Sequence, residues 1–244
     1  MKAFRPGPFQ PSVLAACAAL LLAGCASVPN VNVSRADAAR IHRITILGVH
    51  EPANIWVTNM VGAAGAFGLV GGLVQAKIDS DHRKTLVQVI AEAKPSLSQE
   101  LVSTALAALK ADGFQASYAP SLYPKPSADR KSDDYTGIHV DSDAMLSLWY
   151  KVVGYISPPS STHYEPTVLL GVRLVDARSG QVLFEKTYAV GYAWKIRNVV
   201  QIPADSRNLY KDFDDVIAHS KDAVAALKLG EDEAVKRAAW DFRN

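Results

Sequence analysis

The sequence has little net charge, only two cysteines and none of the common catalytic signatures. Its 244 residues give a formal charge of +2 at pH 7, which provides no basic field to attract nucleic acid. Two cysteines, at positions 17 and 25, allow at most one disulfide bond. The G-x-S-x-G, H-E-x-x-H and P-loop motifs are absent. We therefore predict no enzyme, metal site, cofactor or nucleic-acid partner, with a cell-wall enzyme kept as a minor alternative.

The first 25 residues have the order of a secretory signal. Lys2 and Arg5 precede the apolar run 13–22, and the small residues of Leu-Ala-Gly-Cys end at Cys25. This ending resembles a bacterial lipobox. The resemblance implies cleavage before Cys25, a thioether-linked diacylglycerol on its sulfur, and acylation (as with palmitate) of its new amino group. Three acyl chains exceed the two signals that stable anchoring needs.

Two other interpretations of this N-terminal stretch are an uncleaved anchor helix and a signal peptide cut elsewhere, with an incidental cysteine. The run is shorter than the roughly 20 apolar residues of a spanning helix. Loss of residues 1–24 would remove Lys2 and Arg5 and no acid, which brings the formal charge to zero. It would also leave Cys25 as the only cysteine. Ala26 follows in place of an acidic residue, and by resemblance to bacterial sorting signals this favours the outer membrane, on its periplasmic face.

The remaining sequence predicts one packed domain of the α+β class. About half of the residues are hydrophobic and a fifth are charged, so a core is expected. We place a signal peptide at 1–24, a tether at 25–40, a periplasmic domain at 41–230 and a C-terminal helix at 231–244. The lipid-anchored chain would then have the membrane as one partner, and an envelope protein or a copy of itself as another.

An uncharged, glycine-rich segment at 55–76 is the second unusual feature. Glycine costs about 1 kcal/mol in a helix interior, so five of them need a reason. Small residues at four-residue spacing allow two helix backbones to approach closely. Three interpretations remain open: a tightly packed helix, a segment inserted into the bilayer, and a flexible loop. Protein or membrane contact is expected at Gly62, Gly65, Gly68, Gly71 and Gly72.

Hydrophobic periodicity predicts the order of the elements. Alternation and β-branched residues indicate strands, and apolar residues at i+3 and i+4 indicate helices. A capping box at Ser96–Gln99 opens one helix, and Gly113 suits its end. The predicted strands are 41–49, 114–119, 144–156, 164–175 and 181–192; the predicted helices are 77–93, 97–109, 206–227 (ended by Gly230) and 231–242; and 120–143 is an exposed loop. We predict one mixed, largely antiparallel sheet covered by helices, with a glycine-rich apolar helical segment.

Three stretches resemble periplasmic α/β lipoproteins related to the curli secretion channel and to activators of penicillin-binding proteins. They are the opening strand 44–47, the helix-to-strand unit 101–119 and the hairpin 172–185 with its Asp-x-x-x-Gly turn. The resemblance spans about 41–230 and implies a non-catalytic periplasmic domain. The glycine-rich insert and the 120–143 loop depart from those families.

Polar and aromatic clusters supply the other candidate sites. Asp79, Asp81 and His82, and likewise His139, Asp141 and Asp143, are interpreted as solvated positions and not as metal ligands. Aromatic residues on two strands would form either core or an exposed recognition patch; they are Trp149, Tyr150, Tyr155, Tyr188, Tyr192 and Trp194. The predicted function is protein interaction or self-assembly at the envelope. The alternative is an oligomeric pore or secretion-related lipoprotein in which 55–76 enters the bilayer.

Overall fold

A computed structural model describes residues 27–60, 68–127, 133–159, 161 and 163–243, with side chains omitted for 68–74. The predicted lipidation site Cys25 and the predicted contact residues Gly62 and Gly65 lie outside these described residues. Gly68, Gly71 and Gly72 lie within the described residues.

The described elements alternate between helices and strands before a run of long strands. The helices are α1 (Arg35–Arg40), α2 (Gly68–Glu92), α3 (Leu97–Ala111), α4 (Phe213–Ala218) and α5 (Ser220–Asp241), with a 3-10 turn at Ser206–Asn208. The strands are β1 (Arg43–Leu47), β2 (Ile55–Asn59), β3 (Gln115–Ala119), β4 (Lys125–Pro126), β5 (Asp133–Asp134), β6 (Ala144–Ser157), β7 (Glu165–Asp176), β8 (Val182–Val190) and β9 (Val199–Ile202).

One seven-stranded sheet organises the domain in the order β3-β1-β6-β7-β8-β9, with β2 beside the second half of β6. The long central ladders β6–β7 and β7–β8 are antiparallel. The shorter strands β1, β2, β3 and β9 join by parallel pairing. The predicted α+β fold, a mixed and largely antiparallel sheet covered by helices, is confirmed.

The sheet buries apolar side chains on both faces. On the inner face, α5 packs across β7, and alternate residues of that strand join the main core. The alternation predicted for this strand is confirmed at Val168, Leu170, Val172 and Leu174. On the outer face, Tyr135 and Ile138 of the 120–143 stretch pack on Leu47, Met145 and Val175. That stretch was predicted as an exposed loop. It is partly packed instead, because its two apolar side chains cover apolar sheet residues, and β4 pairs with β5 inside it.

The C-terminal helices need correction. The helix predicted over 206–227 begins only at Phe213 and breaks at His219, and α5 then runs from Ser220 through Gly230 to Asp241. Gly230 therefore does not separate two helices. A Cβ atom there would lie 3.1 Å from Val168 Cγ2, so glycine allows α5 to approach the sheet closely. Burial continues past it through Ala234 and Ala238, which holds the helix together.

The glycine-rich segment is also divided differently from the prediction. Its first part is β2, which pairs with β6, because Ile55 and Val57 alternate inward as a strand requires. Gly68, Gly71 and Gly72 lie in the first turns of α2, as the helical interpretation predicts. Among the described residues, none of the helices combines the length and apolar character needed to cross a membrane.

The predicted tether, 25–40, is packed against the domain wherever it is described. Val31 exchanges backbone hydrogen bonds with Glu185 at 2.9 and 3.0 Å, beside the edge of β8. Ser34 caps α1, whose Arg40 lies 2.6 Å from Asp176 in an ion pair. Composition predicted a tether, and these contacts dock its described part onto the domain.

Two smaller predictions are confirmed. Ser96 N donates to Gln99 Oε1 at 3.0 Å in the capping box of α3. Gly113 follows that helix with a φ of +82°, a conformation that glycine adopts readily.

Candidate protein-binding surface

The N-terminal half of α5 is flanked on its two sides by open apolar grooves. The first, which we name the acidic groove, consists of two adjoining hollows of 490 and 450 Å³. They share Arg207, Asn208, Ala226 and Leu229. The floor comes from the ends of β7, β8 and β9, at Val168, Val190 and Ile202. The groove therefore lies where α5 passes over one edge of the sheet.

Acidic side chains predominate around this groove. Asp205, Asp215, Asp222 and Glu233 line it, against one arginine. Arg207 Nε donates to Asp205 at 2.9 Å, and these hydrogen bonds lower the pKa of Asp205 to about 2. The Asp205 carboxylate therefore stays ionised at neutral pH.

Two leucines expose apolar surface at this groove. Leu229 is 50% exposed and Leu209 is 41% exposed. Leu209 falls within the helix predicted over 206–227, but it precedes α4 and faces solvent. Large apolar side chains beside a groove and surrounded by charged groups are typical of interaction surfaces.

The second groove, which we name the basic groove, lies on the other side of α5. It has a volume of 430 Å³ and an apolar floor that includes Val89, Ala93 and Val224. Its rim carries three lysines and one acid: Lys94, Lys221, Lys228 and Glu92. Lys228 Nζ donates to the Pro95 carbonyl at 2.7 Å, which holds its charge at the rim.

The two grooves have opposite charge and a similar apolar floor. Ala225 lies in the lining of both, so one helix separates them. Two unlike patches on one molecule can pair only between different copies, in a head-to-tail manner. Charge complementarity of this type favours a defined partner and raises the rate of association.

The same helix also carries a buried titratable residue, Glu231. Glu231 is fully buried on α5, and no described group hydrogen-bonds either carboxyl oxygen. Burial raises the pKa of this carboxyl well above its usual value. Because it is fully buried, it is not presented to a partner.

The polar clusters considered in the sequence are dispersed by the fold. On α2, Asp79 accepts from Gln75 at 2.7 Å, Asp81 pairs with Lys77 and Lys84, and His82 stacks on Phe213 with ring centroids 4.0 Å apart. These contacts use the side chains separately. Within the described ranges, no group of three His, Cys, Asp or Glu side chains could hold a metal ion.

The second cluster has a structural role. Asp143 accepts from the backbone N–H groups of His42 and Arg43 at 2.9 and 2.8 Å. Asp141 lies 3.1 Å from the Arg43 guanidinium, and His139 is exposed. Asp143 thus fixes the start of β1 beside β6.

The predicted aromatic residues divide between core and surface. Tyr155 and Tyr188 are fully buried, as the core interpretation predicts. Trp149, Tyr150, Tyr192 and Trp194 are only partly exposed. Trp194 makes edge contacts with Tyr192 and with Trp56, which the sequence did not single out.

The groove residues were missed because they come from distant parts of the chain. Arg207 precedes α4, Ile202 belongs to an unpredicted strand, and Leu229 follows the apolar stripe of α5. Leu229 offered one signal: it lies two residues after Leu227, and therefore on a different side of the helix. A leucine in that position is exposed unless another molecule covers it.

Comparison with known proteins gives no family for this chain. No family model matches it, and no curated protein matches it. Solved structures found by comparison include protein XCC0632 from Xanthomonas campestris, at 11% identity and a TM-score of 0.41, covering 89% of this chain and 93% of that chain. The PelC dodecamer from Paraburkholderia phytofirmans gives 11% identity and a TM-score of 0.38, covering 89% and 93%.

Lipoprotein GNA1162 from Neisseria meningitidis gives 13% identity and a TM-score of 0.27, covering 61% of this chain and 81% of that chain. These TM-scores all lie below 0.5. We therefore base no argument about assembly or function on these likenesses.

Proposed function

We propose that this chain is a lipid-anchored, non-catalytic protein of the outer membrane whose periplasmic domain assembles with copies of itself through the two grooves beside α5. The observation that supports this is the pair of apolar grooves with opposite charge on the two sides of one helix. In the assembly, the acidic groove of one copy receives the basic groove of the next. The predicted lipobox at Cys25 supports the anchor, and the lack of catalytic motifs supports a binding role.

Charge reversal tests this arrangement because the two rims can be exchanged. Lys221→Glu changes the basic rim, and Glu233→Lys changes the acidic rim; both side chains are exposed. Each single variant should self-associate more weakly than the wild type. The double variant should regain association, since each rim then meets an opposite charge again. Lys110→Glu on α3, away from both grooves, is the matched control.

The apolar part of the contact has its own test. Leu229→Ser should weaken association about tenfold or more, as expected for a contact worth roughly 1.4 kcal/mol or above. Tyr118→Ser on β3, at the other end of the sheet, is the control because Tyr118 is 39% exposed. Both variants should fold normally.

The measurement is molar mass by light scattering for the lipidated protein in mild detergent, together with crosslinking in intact cells. A wild-type protein that stays monomeric and captures no envelope protein in cells would refute the proposal. Association that persists unchanged in both single charge variants would refute the groove pairing.

A further inference from the structure

The N-terminal segment is hydrogen-bonded to the loop that joins β8 and β9. Ser27 forms a bridge with Arg197, and Val28 N donates to the Arg197 carbonyl at 3.1 Å. Asn198 Nδ2 donates back to the Val28 carbonyl at 3.2 Å. The first described residues are therefore fixed at Arg197 by backbone contacts.

The distance from this point to the predicted anchor is short. Only Ala26 separates Ser27 from Cys25, and an extended chain covers at most about 7 Å over these two residue steps. A lipid attached to Cys25 must therefore enter the bilayer next to Arg197. This consequence rests on the proposed lipid anchor.

The surface around this point has the composition of a membrane interface. Trp194 packs on Val152, Leu169 and Ala189, and its ring lies 5.7 Å from that of Trp56 and 5.2 Å from that of Tyr192. Trp56 is 39% exposed. We name this surface the anchor face, and define it as Trp56, Tyr192, Trp194, Lys195 and Arg197.

Its charges are favourable for contact with lipid headgroups. Lys195 and Arg197 are exposed at the rim of the aromatic cluster. Glu185, which pairs with Val31 of the docked segment, has its carboxylate bound by Arg173 at 2.8 Å. The mature chain, whose predicted net charge is zero, thus has two basic side chains where the lipid anchor enters the membrane.

We propose that the anchor face lies on the phospholipid headgroups of the membrane that holds the acyl chains of Cys25. Tryptophan and tyrosine concentrate at this depth, and lysine and arginine are attracted to anionic lipids there. The anchor face is on the outer side of the sheet, whereas α5 and its grooves are on the inner side. The bilayer contact therefore leaves the grooves open to a second copy.

Tryptophan fluorescence tests this orientation, because two of the four tryptophans, Trp56 and Trp194, lie in the anchor face and Trp240 lies on α5. Lipidated protein is reconstituted into vesicles of three parts phosphatidylcholine to one part phosphatidylglycerol, with the upper acyl chains brominated as quenchers. Trp240 on α5 is 50% exposed and is the internal control. Trp56→Phe should remove the largest share of the quenched emission, and Trp240→Phe should remove none of it.

A charge variant gives the second measurement. Lys195→Glu/Arg197→Glu changes side chains and leaves the backbone contacts to Ser27 and Val28 in place. Its quenching should fall on the mixed vesicles and stay at the wild-type level on phosphatidylcholine alone. Equal quenching of Trp56 and Trp240, or quenching of neither, would overturn the proposal.

Failure of the anchor itself gives a different result. If the protein does not float with vesicles at all, natural lipidation fails, and with it that part of the proposed function. The mature chain, with Cys25 as its sole thiol, is then coupled to a maleimide lipid in the same vesicles. Preferential quenching of Trp56 in that preparation supports the anchor face, and its absence refutes it.

Discussion

The buried ion pair between Arg173 on β7 and Glu185 on β8 gives a sharp test of the outer face. Arg173 Nε and Nη2 donate to the two Glu185 oxygens at 2.8 and 3.0 Å, and the side chains are 11% and 12% exposed. Arg173 Nη1 also donates to Asp133 at 2.8 Å. Burial alone would lower the pKa of Arg173, but these hydrogen bonds raise it, so the guanidinium stays charged.

The size of the destabilisation depends on which charged group remains after the substitution. Arg173→Met leaves the Glu185 carboxylate buried without a partner, which should cost about 3–5 kcal/mol of unfolding free energy. Asp133 is 38% exposed and remains hydrated, so it adds little to this cost. In Arg173→Met/Glu185→Leu both charges are replaced by apolar groups, and stability should return to within about 1 kcal/mol of the wild type.

Urea unfolding of the unlipidated mature chain at pH 7, followed by circular dichroism, measures both variants. With a slope of roughly 2–3 kcal/mol/M, the single variant should lower the midpoint by about 1–2 M. Arg207→Met is the control, since its ion pair with Asp205 is exposed to solvent and should contribute little to stability. A double variant as unstable as the single one would show that the unpaired carboxylate is not the cause.

Three further predictions concern backbone geometry and pH. In Gly154→Ala the new Cβ would lie 1.8 Å from the Trp56 carbonyl oxygen, so β2 should detach from β6. The unfolding free energy should fall by at least about 2 kcal/mol, and amide hydrogen exchange should become faster over Ile55–Asn59. Burial alone would raise the pKa of Asp176, but hydrogen bonds from Ser179 and Arg40 lower it to about 2. The stabilisation that the Asp176 carboxylate provides is therefore complete above pH 4 and is lost as the pH falls toward 2. Asp176→Asn should lower the unfolding free energy by about 2 kcal/mol at pH 7 and by much less at pH 2, as measured by urea titration. Glu231 has the opposite effect on the pH dependence of stability, because its raised pKa makes folding less favourable as the pH rises above 4.5. The Glu231→Gln variant should therefore be more stable than the wild type at pH 8 and similar to it at pH 4.

The fold was predictable where local patterns agree with burial. Alternation along β7, the turn residues Asp176 and Gly180, and the capping box at Ser96 each specify structure within a few residues. The α+β class, with its largely antiparallel sheet, followed from these local patterns. The short strand β9 did not, because its four residues, none of them fully buried, give too few alternations to distinguish a strand from a loop.

Gly230 shows why the C-terminal helices were predicted incorrectly. A glycine after an apolar stripe is a typical helix end, and the acids after it are typical of a new first turn. Only the three-dimensional packing shows that Val168 occupies the space a side chain would need. The grooves were beyond prediction for a related reason, since their linings combine residues from β7, β9 and α5.

The docked N-terminal segment also sets an order of events during biogenesis. Under the proposed lipidation, the enzymes that cleave before Cys25 and acylate it need access to the chain within a few residues of that position. Residues 27–31 are not free to enter such an enzyme while Ser27 and Val31 are paired with Arg197 and Glu185. On this proposal, processing comes before the segment closes onto β8.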